Sequence, residues 1–166
     1  MDPLRTAFLR ETFSQKLAAL QEDSPALWGI MTPQHMVEHL SGALAMSRAK
    51  FKLKQETPEE HLAAGRAWLR SGKPFRKGRH GAGMQEGKLM RLRFESLNQA
   101  KAKLLAEIEE FYAYWSQQED GFQLLHPIFG LCNEDEWEQF NYKHCYHHLA
   151  QFGLLPEVEE LQAIAS

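Results

Sequence analysis

Apolar residues return at three- to five-residue steps along most of the chain, the spacing of helices that bury one face. Leu4, Phe8, Leu9, Phe13, Leu17 and Leu20 form one such stripe and predict a first helix over residues 3–21, ended by the turn Glu22-Asp23-Ser24-Pro25. Thr32-Pro33 supplies an N-cap and a first-turn proline for a second helix over about 33–50. Thr57-Pro58 opens a shorter third helix in the same way, running to Leu69. Leu97, Leu104, Leu105, Ile108, Phe111, Tyr112 and Trp115 mark a long helix. Asn133 followed by Glu136 has the form of a capping box, and its helix should run to Phe152, where Gly153 stops it. Residues 156–165 read as a short terminal helix. Residues 71–87, rich in glycine and cations, read as a long irregular connection, and Gly121–Leu131 as a loop. Strand signals are nearly missing. The expected fold is therefore all-α, a four-helix bundle with a small extra helix and a long loop in the second crossover.

Length agrees with that picture. The 166 residues suffice for a single core, taken as about residues 4–155 with a short C-terminal extension over 156–166. Formal charge is -3, which removes the broad cationic field of a nucleic-acid binder. The total hides an asymmetry: nine Lys and Arg lie between Arg66 and Phe94 against the single acid Glu86, while Glu107–Glu138 holds nine acids and no Lys or Arg. A charge run of this kind is ordinarily a solvated face, and the sharper alternative is a patch that recruits an anionic small molecule. No run of 18 apolar residues occurs, and Asp2, Arg5, Arg10, Glu11 and Lys16 interrupt the start, so the expectation is a cytoplasmic protein with no membrane partner. Cys132 and Cys145 are taken as reduced thiols. Dinucleotide, nucleoside-triphosphate and serine-hydrolase motifs are absent from the sequence.

Eight histidines are the unusual feature of the composition. His144 and His148 stand four apart on the last long helix, about 40° apart on its wheel and one turn apart along its axis, so both can point at one atom. Trp137, Phe140, Asn141 and Gln151 fall within about 60° of His144, which makes this the inward face. Two facing imidazoles in a core are most simply satisfied by a shared cation, with Asn141 or Gln151 accepting from their outer nitrogens. His35 and His39 repeat the four-residue spacing on the second helix. Imidazoles on facing helices of a bundle are a recurrent way to hold Zn, Ni, Fe or Mn, and three of them leave a coordination position open for water or substrate. One H-x-x-x-H alone is weakly specific; two on separate inward faces raise its weight. His61 and His80 read as surface residues, His126 as a structural hydrogen-bonder in its loop, and His147 as lying to one side of the pair.

Three segments, W28-G-I-M-T-P-Q-H-M-V-E-H-L40, H126-P-I-F-G130 and H144-C-Y-H-H-L-A-Q-F-G153, together resemble the DinB-like superfamily of metal-binding four-helix bundles, in a bacterial branch with W-G-x-M, H-L, P-x-F-G and H-x-x-H-H-L-x-Q-F-G signatures. The resemblance spans about residues 4–155. It implies that His39, His144 and His148 are the metal ligands and that Trp28, Gly29 and Phe129 are structural. His35, His126, Asn141, His147 and Gln151 are then neighbours of the ligand set. His35 stands where the branch has Gln, and is either a fourth ligand or, as we favour, a donor supporting the site. Superfamily members use low-molecular-weight thiols, so the implied function is a metal-dependent thiol transferase, isomerase or hydrolase acting on a small molecule. Its reacting group would be water or thiolate at the metal, because no carboxylate shares the triad's face; Glu38 lies about 100° from His39. The alternative is a non-catalytic metal-binding or sensing bundle. Related bundles often pair, so a homodimer is also expected.

Overall fold

The structure, a computed structural model, describes residues 1–78 and 87–161. Among the described residues four helices, a two-stranded hairpin and a fifth helix follow one another along the chain. Helix α1 is continuous through Pro3–Ala7, a π-helical turn over Phe8–Thr12, and Phe13–Ala18. Within that turn the Phe13 amide donates to the Phe8 carbonyl, widening the coil by one residue. Leu9, Phe13 and Leu17 are buried, whereas Leu4 is exposed and takes no part in the core. The helix ends at Ala18, short of the predicted residue 21, and Leu20 packs inward from the turn that follows.

Helix α2 covers Pro33–Met46 and starts at the predicted Thr32 cap; it stops before residue 50 because Ala49 adopts a left-handed conformation (φ 55°). Helix α3 covers Glu59–Arg70 and α4 covers Leu97–Trp115. Helix α5, Glu134–Gln151, is closed at both ends. Asn133 and Glu136 form the reciprocal capping box, and the Gly153 and Leu154 amides donate to the Ala150 and Leu149 carbonyls across a glycine at φ 68°. Helix α2 packs along α4, and α5 touches α1, α2 and α3. Their buried faces meet in one core that includes Met36, Leu40, Leu104, Phe111 and Trp137.

The expectation of a loop over Gly121–Leu131 is corrected by a hairpin. Strand β1, Leu124–His126, pairs antiparallel with β2, Gly130–Cys132, with Leu124 opposite Cys132 and His126 opposite Gly130. Gly130 turns at φ 73°, and the hairpin tip is tied to its surroundings through the Pro127 carbonyl, which accepts from the Glu56 amide at 2.8 Å. Three-residue strands carry too little alternation to be read from sequence. Residues 156–161 are not helical, and the rest of the expected terminal helix lies outside the described residues.

The basic stretch is neither wholly solvated nor wholly free. Arg70 pairs with Glu136 (2.6 Å), Lys77 with Glu157 (2.6 Å) and Arg93 with Glu38 (3.2 Å), while Arg66 donates to the Phe129 carbonyl (3.0 Å). Lys143, on α5, is fully buried and donates to the Trp68 and Leu69 carbonyls at 2.8 and 3.0 Å, satisfying the C-terminal end of α3; burial lowers its pKa to about 8. No described helix is long and apolar enough to cross a membrane.

Candidate metal centre

Capping sets the register of both helices that carry the clustered histidines. Thr32 accepts from the His35 amide and fixes the first turn of α2, placing His39 one turn further on; the doubly closed α5 holds His144 and His148 one turn apart. The three side chains meet. His144 Nε2 lies 2.8 Å from His39 Nε2 and 3.1 Å from His148 Nε2, and the three ligand atoms all lie within 4.8 Å of one another.

Hydrogen bonding around the cluster fixes part of its protonation. The Gln151 amide nitrogen donates to the Trp28 carbonyl (2.8 Å), which can only accept, so Gln151 Oε1 faces His148 Nδ1 at 2.7 Å and accepts its proton. His148 Nε2 therefore turns a lone pair toward the other two rings. His144 Nδ1 is buried with no partner. If neutral His144 carries its proton there, its Nε2 lone pair faces that of His148; if it carries it on Nε2, a buried lone pair is orphaned instead. Either arrangement leaves a buried polar atom unsatisfied, and a shared cation removes the conflict among the inward lone pairs.

Electrostatics favour the same occupant. Burial lowers the pKa of His39 to about 4, helped by the nearby His147, and pushes His144 and His148 well below the ordinary histidine value. All three rings are consequently neutral near pH 7, the form that ligates metal. Three imidazoles are a donor set that suits Zn, Ni, Fe or Mn.

The remaining residues singled out by sequence separate into groups. Gln151 supports His148 directly. His35 stays out of the cluster of three, and its Nδ1 lies 2.6 Å from Thr32 Oγ1 at the helix cap. Asn141 shares the inward face, but it bonds no histidine; its amide donates to Ser47 Oγ at 3.3 Å. His126 accepts from the Ile128 amide (3.0 Å) inside the hairpin, boxed by Phe129, Trp137 and Phe140, and burial lowers its pKa to about 3. His147 packs on Trp28 and Phe75 beside the triad. His61 is exposed on α3, and His80 lies outside the described residues.

Glu38 is the residue that sequence reasoning passed over. It points away from the triad, yet it is buried and accepts from the Arg93 amide (2.7 Å), the Phe94 amide (3.2 Å) and Gln34 Nε2 (3.0 Å). These bonds hold its pKa down against the opposing effect of burial, which is the larger single influence. The strap over residues 88–94 is thus clasped to the position adjoining His39. The available signal was one acid beside a histidine in a helix that faces a basic stretch.

Gly29 completes the support. It sits at φ 79°, and a Cβ there would approach Gln151 Nε2 to 2.8 Å. Gly29→Ala is expected to cost about 1–2 kcal/mol of stability through the left-handed backbone. By displacing the amide that orients His148, it should also weaken metal binding by about 10–100-fold. Chelator competition and denaturant unfolding measure the two effects, and unchanged metal affinity would separate Gln151 from the site.

Comparison of the chain with protein-family models, with curated proteins and with solved structures gives no match.

Proposed function

We propose that this chain is a metal-dependent enzyme acting on a small molecule, with one divalent ion held by His39, His144 and His148 in a DinB-like four-helix bundle. In that reading α1, α2, α4 and α5 are the bundle helices and α3 is the small insertion between α2 and α4. The observation that carries it is the convergence of three Nε2 atoms from two helices, one of them turned inward by the Gln151 amide.

A bound divalent ion supplies a Lewis acid that stabilises a thiolate or polarises a carbonyl. The protein contributes neutral, buried donors and a fixed tautomer at His148. Among the described residues no carboxylate joins the cluster of three imidazoles. With His35 outside the cluster the donor count is three, the number typical of catalytic sites that keep an open position. This favours an enzyme over a non-catalytic bundle that stores or senses metal. Thiol transfer, isomerisation or hydrolysis with a low-molecular-weight thiol is the reaction class we assign, on the resemblance of the histidine motifs.

Metal analysis of protein purified without chelator or nickel resin tests the reading. One divalent ion per chain is expected, and His35→Gln should retain it with unchanged affinity. A metal-free chain would overturn the site, and loss of metal in His35→Gln would make the site four-coordinate and shift the function to storage or sensing. Assay against the major low-molecular-weight thiols then addresses the reaction, with no turnover across the panel favouring the non-catalytic reading.

A further inference from the structure

A shallow cleft, open to solvent, adjoins the triad, and His39 belongs to both. Met31 and His35 form one side of it, at the start of α2; Leu89, Met90 and Leu92 form the other, on the strap clasped by Glu38. Apolar atoms supply most of its lining surface, with Glu38 and Arg91 at its border. Arg93 also borders it, but its guanidinium is committed, donating through Nε to the Glu38 carboxylate (3.2 Å) and through Nη2 to the Glu38 carbonyl (2.7 Å).

Leu89, Met90 and Leu92 are 41%, 59% and 38% exposed, although the strap that carries them is anchored on both backbone and side-chain atoms. Exposed apolar side chains scattered singly need no explanation, whereas three within four residues, beside a cluster of buried imidazoles, form a patch that can gain by being covered. The cleft is narrow and has no room for a helix from another protein.

We propose that this cleft is a specificity subsite for an apolar substituent of the substrate, so that the molecule turned over carries a metal-ligating polar head and a short alkyl chain or single ring. The inference rests on the metal reading of the triad and adds the substrate class to it. The head lies at the imidazoles, the tail runs past His39 between Met31 and the strap, and Glu38 is a positioning residue that keeps the strap's apolar side chains against that path.

Cobalt-loaded protein, titrated with acetohydroxamate and with hexanohydroxamate while the visible spectrum is followed, tests the subsite without an activity assay. The two probes share a head and differ by four methylenes. A fully buried methylene is worth about fourfold in affinity. Half-covered methylenes in an open cleft therefore give hexanohydroxamate an advantage of roughly 15-fold. The double variant Leu89→Ser/Met90→Ser, altered at exposed positions, should bring the ratio close to one while cobalt content and acetohydroxamate affinity stay as in the parent chain. Equal affinity for both probes in the parent chain overturns the subsite and leaves the metal reading intact. A ratio that survives the double variant also overturns it, and self-association lost in that variant would reassign the patch to contact between copies of this chain. Failure to bind cobalt at all overturns both readings.

Discussion

His144→Ala is expected to lower the affinity for a divalent metal by roughly 100-fold or more, since it removes a ligand outright where loss of a supporting contact alone costs 10–100-fold. His144 is the central ring of the three, with its Nε2 at 2.8 Å from that of His39 and 3.1 Å from that of His148. Without it the other two imidazoles face a gap, and a two-nitrogen site cannot hold an ion against a competing chelator. The fold should survive, because the substitution also deletes the partnerless Nδ1. Chelator competition followed by circular dichroism separates the two effects, with the exposed His61→Ala as control. Retained affinity in a folded His144→Ala chain would remove the triad as the metal centre.

The second large effect lies away from the histidines. Glu138 is fully buried on α5 and accepts from four groups: the Asp2 amide (2.8 Å), Arg5 Nε (3.1 Å), Thr6 Oγ1 (2.7 Å) and the Tyr112 hydroxyl (3.1 Å). It binds the start of α1 and the last turn of α4 to the helix that carries two of the imidazoles. Glu138→Ala leaves Arg5 its contacts with Asp135 and Gln139 but removes its buried carboxylate partner and strands the Thr6 and Tyr112 hydroxyls, a change that costs about 3 kcal/mol. For a chain of this size that corresponds to a fall in Tm of roughly 10 °C. The exposed pair Arg10–Glu109, 2.6 Å apart, provides the comparison: Glu109→Ala should change stability by less than about 1 kcal/mol. Denaturant unfolding of both variants decides the matter, and equal stabilities would show that the Glu138 network contributes nothing beyond a surface ion pair.

Helices were legible in this sequence because their signals are local. Thr32-Pro33, Asn133 with Glu136, and Gly153 act within a turn of their own position, and the structure uses each as a cap or stop. The π turn left no trace in the apolar pattern, because Leu9, Phe13 and Leu17 follow at ordinary four-residue steps across it. The gathering of the histidines was legible in part. A wheel shows that His144 and His148 share a face, but not that α5 meets α2 at the height of His39. Partners distant in sequence were beyond its reach: Asn141 bonds Ser47, 94 residues away, and Glu38 reaches Arg93, 55 residues away. An angular neighbour thus proved to have a different partner, while an acid that faced the wrong way on the wheel proved to hold the strap. The hairpin escaped because its pairing is too short to impose alternation, and His126 inside it serves the turn, accepting from Ile128.

Lys143 gives the fold an internal clock. Its lowered pKa, about 8, would by itself make the amine an unusually good nucleophile, yet it has no exposed surface and its ammonium is shared between two carbonyls at the end of α3. Acylating reagents can therefore reach it only when α3 and α5 part, and because that opening also ends the burial that lowers its pKa, the freed amine then reacts as a surface lysine does. The labelling rate at this one lysine, set against that of lysines on the surface, reads how often the molecule opens along the side that shelters the imidazoles.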